Sequence, residues 1–214
     1  MIRAVISDFG GVLTTPLAGS FQGFADRIGL PLEAIGVALS TIAARDGVHP
    51  LHELECGRLS EASFLEATTA TLSEQLGRDV AVESFAEHYF ADLKPNAPMI
   101  EFMSALRGEG YRMALLTNNV REWESRWRAL APIEEIFELV VDSAFVGMRK
   151  PEPEIYELTL ERLGVTAGES LFVDDFEHNC AAASALGMTA VMYREPEQAI
   201  TEVRAALAGS SART

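Results

Sequence analysis

Hydrophobic residues along this chain follow two different spacings, and the spacing changes near residue 93. Residues 4–6 (Ala-Val-Ile) form a short apolar run that leads into Asp8 and then Gly10 and Gly11, which predicts a buried strand followed by a turn. From about residue 15 to residue 92 the apolar side chains recur every three or four positions, so this segment is predicted to be helical and without a strand. These positions include Leu32, Ile35, Leu39 and Ile42 and, after Ser60 as a predicted N-cap, Phe64, Leu65, Thr68 and Leu72.

After residue 93, short apolar runs alternate with helical patterns. The predicted strands are residues 112–116, 139–141, 170–173 and 189–192. The predicted helices are residues 98–107, 122–130, 151–164, 180–186 and 197–207. Strands that alternate with helices form a mostly parallel sheet that is covered by helices on both faces. The chain is therefore predicted to be an α/β protein with a Rossmann-like, doubly wound core.

Polar residues directly follow three of these predicted strands. Asp8 comes after the first strand, Thr117 after the strand at 112–116, and Asp174 and Asp175 after the strand at 170–173. The carboxyl ends of parallel strands meet at one edge of the sheet, which is where such sheets bind their ligands. We therefore expect these side chains to lie together, although they are far apart in the sequence.

The composition is that of a globular protein with a strong acidic excess. Of the 214 residues, 48% are hydrophobic and 23% are charged, and the formal net charge is −15. This charge argues against nucleic acid and against an anionic membrane as partners, because both attract basic surfaces. No apolar run approaches the roughly 18 residues of a membrane span, and no signal peptide precedes Asp8, so a cytoplasmic protein is expected. Cys56 and Cys180 lack the spacing of metal ligands and suit a reducing compartment.

The acidic residues at the predicted sheet edge suit a divalent cation. Carboxylates placed together repel one another unless they are protonated or bridged by a cation, and oxygen ligands without histidine or cysteine favour Mg²⁺. An aspartate such as Asp8 can itself attack phosphorus and form an aspartyl-phosphate. Thr117 could offer a hydroxyl and a backbone N–H to a phosphoryl oxygen. Lys150, one of only two lysines, supplies local positive charge in an acidic protein.

Four segments of the chain resemble, in order, the signatures of the haloacid dehalogenase-like superfamily. They are residues 8–14 (Asp-Phe-Gly-Gly-Val-Leu-Thr), 116–119 (Leu-Thr-Asn-Asn), 147–152 (Gly-Met-Arg-Lys-Pro-Glu) and 172–175 (Phe-Val-Asp-Asp). The last two most resemble the branch that includes the N-terminal phosphatase of soluble epoxide hydrolases and bacterial sugar-phosphate phosphatases. The resemblance implies a catalytic core at residues 1–14 and 93–208 with an inserted α-helical cap domain at 15–92. Residues 209–214 are expected to form a flexible tail.

The resemblance implies a nucleophile and a metal site. Asp8 would be the nucleophile and also a Mg²⁺ ligand. The backbone carbonyl of Gly10 would be a second ligand. Asp175 would complete the metal site, and Asp174 would contribute directly or through water.

Other residues of the four segments are implied to hold the substrate. Thr117 and Lys150 would bind the phosphoryl oxygens and so take part in catalysis. Asn118, Gly10 and Gly11 are candidates for substrate contact, and Asn179 for a supporting role. The expected activity is Mg²⁺-dependent hydrolysis of a small phosphorylated metabolite, with sugar phosphates among the candidates. Monomer and dimer both stay open.

Gly10 departs from the pattern of most phosphatases in this superfamily. They carry there a second aspartate, which protonates the leaving oxygen and then activates water. Loss of a general acid or base costs about 10²–10⁴ in rate. Three interpretations follow: a leaving group that needs little protonation, such as an anomeric or acyl phosphate; a substitute residue such as a cap histidine; or a weak enzyme that serves as an interaction or regulatory protein.

The same departure bears on relatives that lack this aspartate. Hydrolases that form a Schiff base need a lysine in the cap, and residues 15–92 contain none. A metal-independent 2-haloacid dehalogenase remains an alternative, but such enzymes need not gather acidic ligands. The Asp174–Asp175 pair therefore favours a metal-dependent phosphatase.

The segment 47–58 is the most chemically varied part of the predicted cap, and residues 55–60 resemble a turn that faces the active site in related caps. His49 and His52 could donate a proton to a leaving group, and Arg45 or Arg58 could bind a substrate anion. The competing interpretation is that the histidines lie on the surface and the arginines pair with nearby glutamates.

Overall fold

The computed structural model describes residues 1–82 and 85–211. Its centre is a sheet formed by β1 (Ala4–Ser7), β2 (Arg112–Thr117), β3 (Leu139–Asp142), β4 (Ser170–Asp174) and β5 (Thr189–Met192). The strands lie in the order β3-β2-β1-β4-β5, and every neighbouring pair is parallel. The predicted parallel α/β core is confirmed.

Among the described residues, five helices lie in residues 15–92, the segment that was predicted to be helical. They are α1 (Leu17–Arg27), α2 (Leu32–Asp46), α3 (Pro50–Glu55), α4 (Glu61–Leu76) and α5 (Phe85–Ala91). The Ser60 side chain accepts a hydrogen bond from the backbone N–H of Ser63, which confirms the predicted N-cap of α4. Among the described residues no single helix is long and apolar enough to cross a bilayer. Only α1 and α2 taken together have the length and composition of a membrane span, and they are bent by 97° relative to each other.

The remaining helices flank the sheet. They are α6 (Ala97–Gly108), α7 (Glu124–Arg128), α8 (Ile133–Ile136), α9 (Ser143–Val146), α10 (Pro153–Leu163), α11 (Glu177–Ala185) and α12 (Pro196–Ser211). Side chains along the strands alternate between two hydrophobic clusters: Val5 packs in the cluster that includes α6, α12 and the helices α1–α5, and Ala4 and Ile6 pack in the cluster that includes α10 and α11. Both faces of the sheet are therefore covered.

Several predicted boundaries differ from the structure. The helix predicted at 122–130 is a single 3₁₀ turn (Arg121–Trp123) followed by the short α7. The helix α11 begins at Glu177, three residues before its predicted start. The helix α12 extends to Ser211, so residues 209–211 are helical and not a tail, and the Ser210 hydroxyl accepts a hydrogen bond from the backbone N–H of Ile2. Residues 212–214 of the predicted tail lie outside the described residues.

Candidate active site

The carboxyl ends of the central strands lie beside a pocket of about 270 Å³. Asp8 follows β1, Thr117 ends β2 and Asp174 ends β4. Because β2, β1 and β4 are neighbours in the sheet, the three residues come to one edge, as the strand pattern predicted. Asp8 and Thr117 line the pocket together with Lys150.

Lys150 joins the acidic residues of this edge. Its ammonium lies 2.7 Å from Asp8 Oδ1 and 2.7 Å from Asp174 Oδ2, and only 1% of the side chain is exposed. Asn118 holds the Lys150 backbone at both ends: its Oδ1 accepts from the Lys150 N–H at 2.8 Å, and its Nδ2 donates to the Lys150 carbonyl at 3.0 Å. Asn118 was predicted to contact substrate, but its amide is already engaged in positioning the lysine.

The two acidic residues at the end of β4 have different surroundings. Asp174 is fully buried and its Oδ1 accepts from the Phe176 N–H at 2.8 Å and from Asn179 Nδ2 at 2.9 Å. Asn179 therefore orients this carboxylate, which agrees with the supporting role expected for it. Asp175 Oδ1 is also buried, but it has no hydrogen-bond partner among the described residues. A buried carboxylate oxygen without a partner is costly unless a ligand completes its bonding.

Burial and mutual repulsion perturb the protonation of these carboxyls. Burial raises the pKa of Asp8 to about 8; Lys150 opposes this rise, and the charges of Asp174 and Asp175 add to it. Burial and the neighbouring Asp174 raise the pKa of Asp175 to about 6. Burial alone would lower the pKa of Lys150, but the contacts with Asp174 and Asp8 outweigh it and raise that pKa. The ammonium therefore stays charged within an excess of negative charge.

The acidic cluster has the composition of a divalent-cation site. One carboxylate oxygen from each of Asp8, Asp174 and Asp175 lies within 4.8 Å of the other two. Three ionised carboxylates against one ammonium leave two uncompensated negative charges, which a divalent ion would balance. Gly11 permits this arrangement, because a Cβ atom built there would lie 2.1 Å from Asp175 Oδ2. The residues present therefore fit a hard cation such as Mg²⁺.

Much of the lining of the pocket is apolar. These side chains come from α1, α3 and α5, from the residues just after α5, and from the segment after β2 that includes the 3₁₀ turn and α7. They are Leu17, Phe21, Leu51, Phe85, Tyr89, Phe90, Leu93, Val120, Trp123 and Trp127. The catalytic edge of the sheet thus faces hydrocarbon and aromatic surface over much of its area.

An ion pair in the pocket wall escaped the sequence analysis. Glu55, at the end of α3, accepts a hydrogen bond of 2.7 Å from Arg149 Nε, and both side chains line the pocket. Burial raises the pKa of Glu55, and Arg149 opposes the rise. Both residues stood in segments already recognised by resemblance. Two features of the sequence could have indicated the pair: Glu55 is a carboxylate in the cap turn that is predicted to face the active site, and Arg149 is a cation directly before Lys150.

Three other predicted cap residues do not line this pocket. Arg58 forms a two-pronged ion pair with Glu53 and donates to the Gly147 carbonyl at 2.9 Å, so it ties α3 to the core. The rings of His49 and His52 lie 4.6 Å apart, and neither histidine is among the residues that line the pocket. Burial, and then the charge of Arg149, lowers the pKa of both histidines.

Arg45 forms an ion pair with Asp46 on the surface. The competing interpretation expected each arginine to pair with a nearby glutamate; here the partner is an aspartate. Of the two glycines predicted to contact substrate, Gly10 lines the pocket. Gly11 lies behind it, against Asp175.

A parallel sheet in this order, with an aspartate after β1, a threonine after β2, a buried lysine and an acidic pair after β4, is the arrangement of hydrolases of the haloacid dehalogenase-like class. The model of the haloacid dehalogenase-like hydrolase family matches residues 2–187, and the chain belongs to this family.

Individual relatives agree with this assignment. The chain is 24% identical over 94% of its length to bifunctional epoxide hydrolase 2 of Rattus norvegicus, covering 38% of that protein. It is 32% identical over 52% of its length to the sesquiterpene phosphatase astK of Aspergillus oryzae, covering 57% of that protein. A family enzyme from Bacteroides thetaiotaomicron, solved with magnesium and inorganic phosphate, superposes with a TM-score of 0.68 at 24% identity over 91% of this chain and 95% of that one. The chain spans 19% to 38% of the length of the long curated proteins it matches.

Proposed function

We propose that the chain is a Mg²⁺-dependent phosphatase that hydrolyses a phosphate monoester through an aspartyl-phosphate on Asp8. The observation that carries this proposal is the buried Lys150 ammonium, bonded to Asp8 and Asp174 beside the unpartnered oxygen of Asp175. A nucleophilic carboxylate, a fixed cation and an open acidic ligand are the parts that phosphoryl transfer needs. Relatives named as phosphatases, and a neighbour solved with magnesium and phosphate, support it.

In this proposal Asp8, Asp175 and the Gly10 carbonyl hold the metal, and Asp174 acts through water because Lys150, Phe176 and Asn179 already engage its oxygens. When bound, Mg²⁺ neutralises phosphoryl charge and makes phosphorus more electrophilic. Thr117 and Lys150 bind the phosphoryl oxygens. Positioning and electrostatic stabilisation of this kind provide most of the catalysis in phosphoryl transfer.

Glu55 is proposed as the proton donor and acceptor that Gly10 does not provide. A carboxylate oxygen of Asp8 forms a bond to phosphorus while the bond between phosphorus and the ester oxygen breaks. The departing ester oxygen takes the proton of Glu55. The Glu55 carboxylate then takes a proton from the water that attacks phosphorus, which releases inorganic phosphate and restores Asp8. Glu55 lines the pocket and its pKa is raised by burial, whereas His49 and His52 do not line the pocket.

Residues 15–92 are proposed to act as a cap over a core formed by 1–14 and 93–208. The pocket supports this division, because its wall combines side chains of α1, α3 and α5 with the carboxyl edge of the sheet. The contact of Arg58 with the Gly147 carbonyl and of Glu55 with Arg149 would hold the cap against the core.

The main test is release of p-nitrophenol from p-nitrophenyl phosphate by wild type and Asp8→Asn, each with Mg²⁺ and with EDTA. We expect release by wild type with Mg²⁺, and a loss of activity both on chelation and in Asp8→Asn. No Mg²⁺-dependent release by the folded wild type would contradict the proposal. Chloride release from 2-haloacids without metal would instead identify a dehalogenase.

The role of Glu55 has a separate test. In Glu55→Gln, p-nitrophenolate still leaves without a proton, but hydrolysis of the aspartyl-phosphate slows by about 10²–10⁴. We therefore expect a burst of about one p-nitrophenol per enzyme and then slow turnover. Glu53→Gln, on the same helix but paired with Arg58 outside the pocket, is the matched control and should show no burst. Equal kinetics in the two variants would assign Glu55 to structure alone.

A further inference from the structure

A second cavity, of about 170 Å³, lies among the helices α1 to α5. Its lining is formed by Phe21, Phe24, Ile28, Leu32, Ile35, Gly36, Leu39, Leu51, Phe64, Leu65, Thr68, Leu72, Val82 and Phe85. Among the described residues of this lining, Thr68 carries the one polar side chain, and its hydroxyl donates to the Phe64 carbonyl at 2.7 Å. The cavity therefore offers hydrocarbon contact and no unpaired side-chain polar group among the described residues.

The second cavity adjoins the active-site pocket. Phe21, Leu51 and Phe85 line both spaces, so these three side chains form their common boundary. Phe21 and Leu51 are half-buried and come from different helices, α1 and α3, whereas Phe85 of α5 is buried. Apolar surface thus continues from the edge of the sheet into the interior of the helical segment.

A sugar would be poorly accommodated by this surface. Each of its hydroxyl groups exchanges hydrogen bonds with water for apolar contacts, and a buried hydroxyl without a partner is unfavourable. A hydrocarbon chain gains from the same contacts, because the free energy of burial grows with the apolar area removed from water.

Resting on the phosphatase function proposed above, we infer that the substrate is a phosphate monoester of a hydrocarbon chain. Its phosphoryl group lies at Asp8 and Lys150, and its chain passes Phe21 and Leu51 into the second cavity. This occupant matches the two spaces in order: the anionic head lies at Lys150 and the acidic edge, and the apolar tail lies in the second cavity. The sugar phosphates considered from the sequence do not match that order.

This inference is tested by the dependence of turnover on the length of the substrate's hydrocarbon chain. We would determine kcat/KM with Mg²⁺ for n-alkyl monophosphates from ethyl to dodecyl phosphate below their micellar concentrations, with glucose 6-phosphate for comparison. Burial of one methylene contributes about 0.8 kcal/mol, which is about fourfold in kcat/KM. We expect a rise of this order with each added methylene until the chain fills the second cavity, and then a plateau.

Gly36 offers a matched pair of variants that assigns the effect to the second cavity. It lies on the α2 face that carries Leu32 and Leu39, one turn from each, and a Cβ atom built there meets nothing within 4 Å. Gly36→Leu would place a side chain in the cavity, whereas Gly36→Ala leaves it largely open. Both replacements favour the helix over glycine, so both variants should fold.

The outcomes separate this inference from the proposed function. Support requires that Gly36→Leu lose at least tenfold in kcat/KM for long-chain esters while it keeps turnover of ethyl and p-nitrophenyl phosphate, and that Gly36→Ala resemble wild type. Hydrolysis of short esters with no chain dependence, or a chain dependence that Gly36→Leu leaves unchanged, would overturn the inference and leave the phosphatase standing. Failure to hydrolyse any phosphate ester would overturn both.

Discussion

Replacement of Lys150 by methionine tests the electrostatic account of the site without a substrate. The ammonium lies 2.7 Å from an oxygen of Asp8 and 2.7 Å from an oxygen of Asp174, and the three side chains are 1%, 8% and 0% exposed. Solvent screening is therefore weak, and methionine fills a similar volume without the charge. Removal of one partner from a buried ion pair costs about 3–5 kcal/mol because the other charge stays buried.

The loss in free energy of unfolding should depend on pH, because a buried carboxylate that takes a proton no longer carries an unpaired charge. Burial already raises the pKa of Asp8 to about 8 in wild type, so Asp8 is protonated in both folded proteins well below pH 8. In the variant, Lys150 no longer lowers this pKa, so the folded state keeps the proton to higher pH. Above about pH 8 only the variant still binds more protons than its unfolded state, so it alone loses stability as pH rises, by about 1.4 kcal/mol per pH unit, and its deficit relative to wild type grows.

The assay is urea unfolding in EDTA at pH 6 and pH 9, followed by tryptophan fluorescence. Lys94→Met is the control, since Lys94 is the other lysine of the chain and is exposed, and we expect a change within about 0.5 kcal/mol. A loss below about 1 kcal/mol at pH 9 for Lys150→Met, or a loss that is as large at pH 6 as at pH 9, would refute the reasoning.

Three further predictions concern the same edge of the sheet. Gly10→Asp should raise kcat for ethyl phosphate if proton donation limits the rate. A Cβ atom at this position meets only the flexible end of Leu17, at 2.9 Å. An unchanged kcat would show that the proton is already supplied. Asn118→Ala removes two hydrogen bonds to the Lys150 backbone, so we expect calorimetry to show a Tm lower by about 4–8 °C, and an unaltered Tm would contradict that role. In EDTA the wild type should lose stability as pH rises from 4 through about 6, because the folded Asp175 and the folded Asp8 both bind a proton more tightly than in the unfolded chain. Asp175→Asn should make the fall of the urea midpoint over this range shallower, and an equally steep variant would argue against the role of Asp175.

The sheet edge was predictable from the sequence because it depends on topology alone. Alternating strands and helices imply a parallel sheet, and the carboxyl ends of such strands meet at one edge. Asp8, Thr117 and Asp174 each follow an apolar run, so their meeting required no knowledge of side-chain packing. The family resemblance added Lys150, whose ammonium lies against two of the acids.

The helical segment shows where the sequence is insufficient. Its periodicity predicted helices, but not which side chains of α3 face the sheet. Glu55 meets Arg149, 94 positions away, whereas His49 and His52 lie outside the pocket. Such pairings depend on the angle at which one packed unit sits on another, and no local pattern encodes that angle.

The sequence by itself thus determined the parallel core, the acidic edge and the family. The tertiary structure decided which partners engage each polar group there: Asn118 positions Lys150, and Asp175 keeps an oxygen without a partner. It also decided that apolar space continues from the pocket into the helices. The physical reason is that a parallel sheet and its carboxyl edge follow from local periodicity and chain connectivity, whereas cavities and side-chain pairs arise only when distant segments pack.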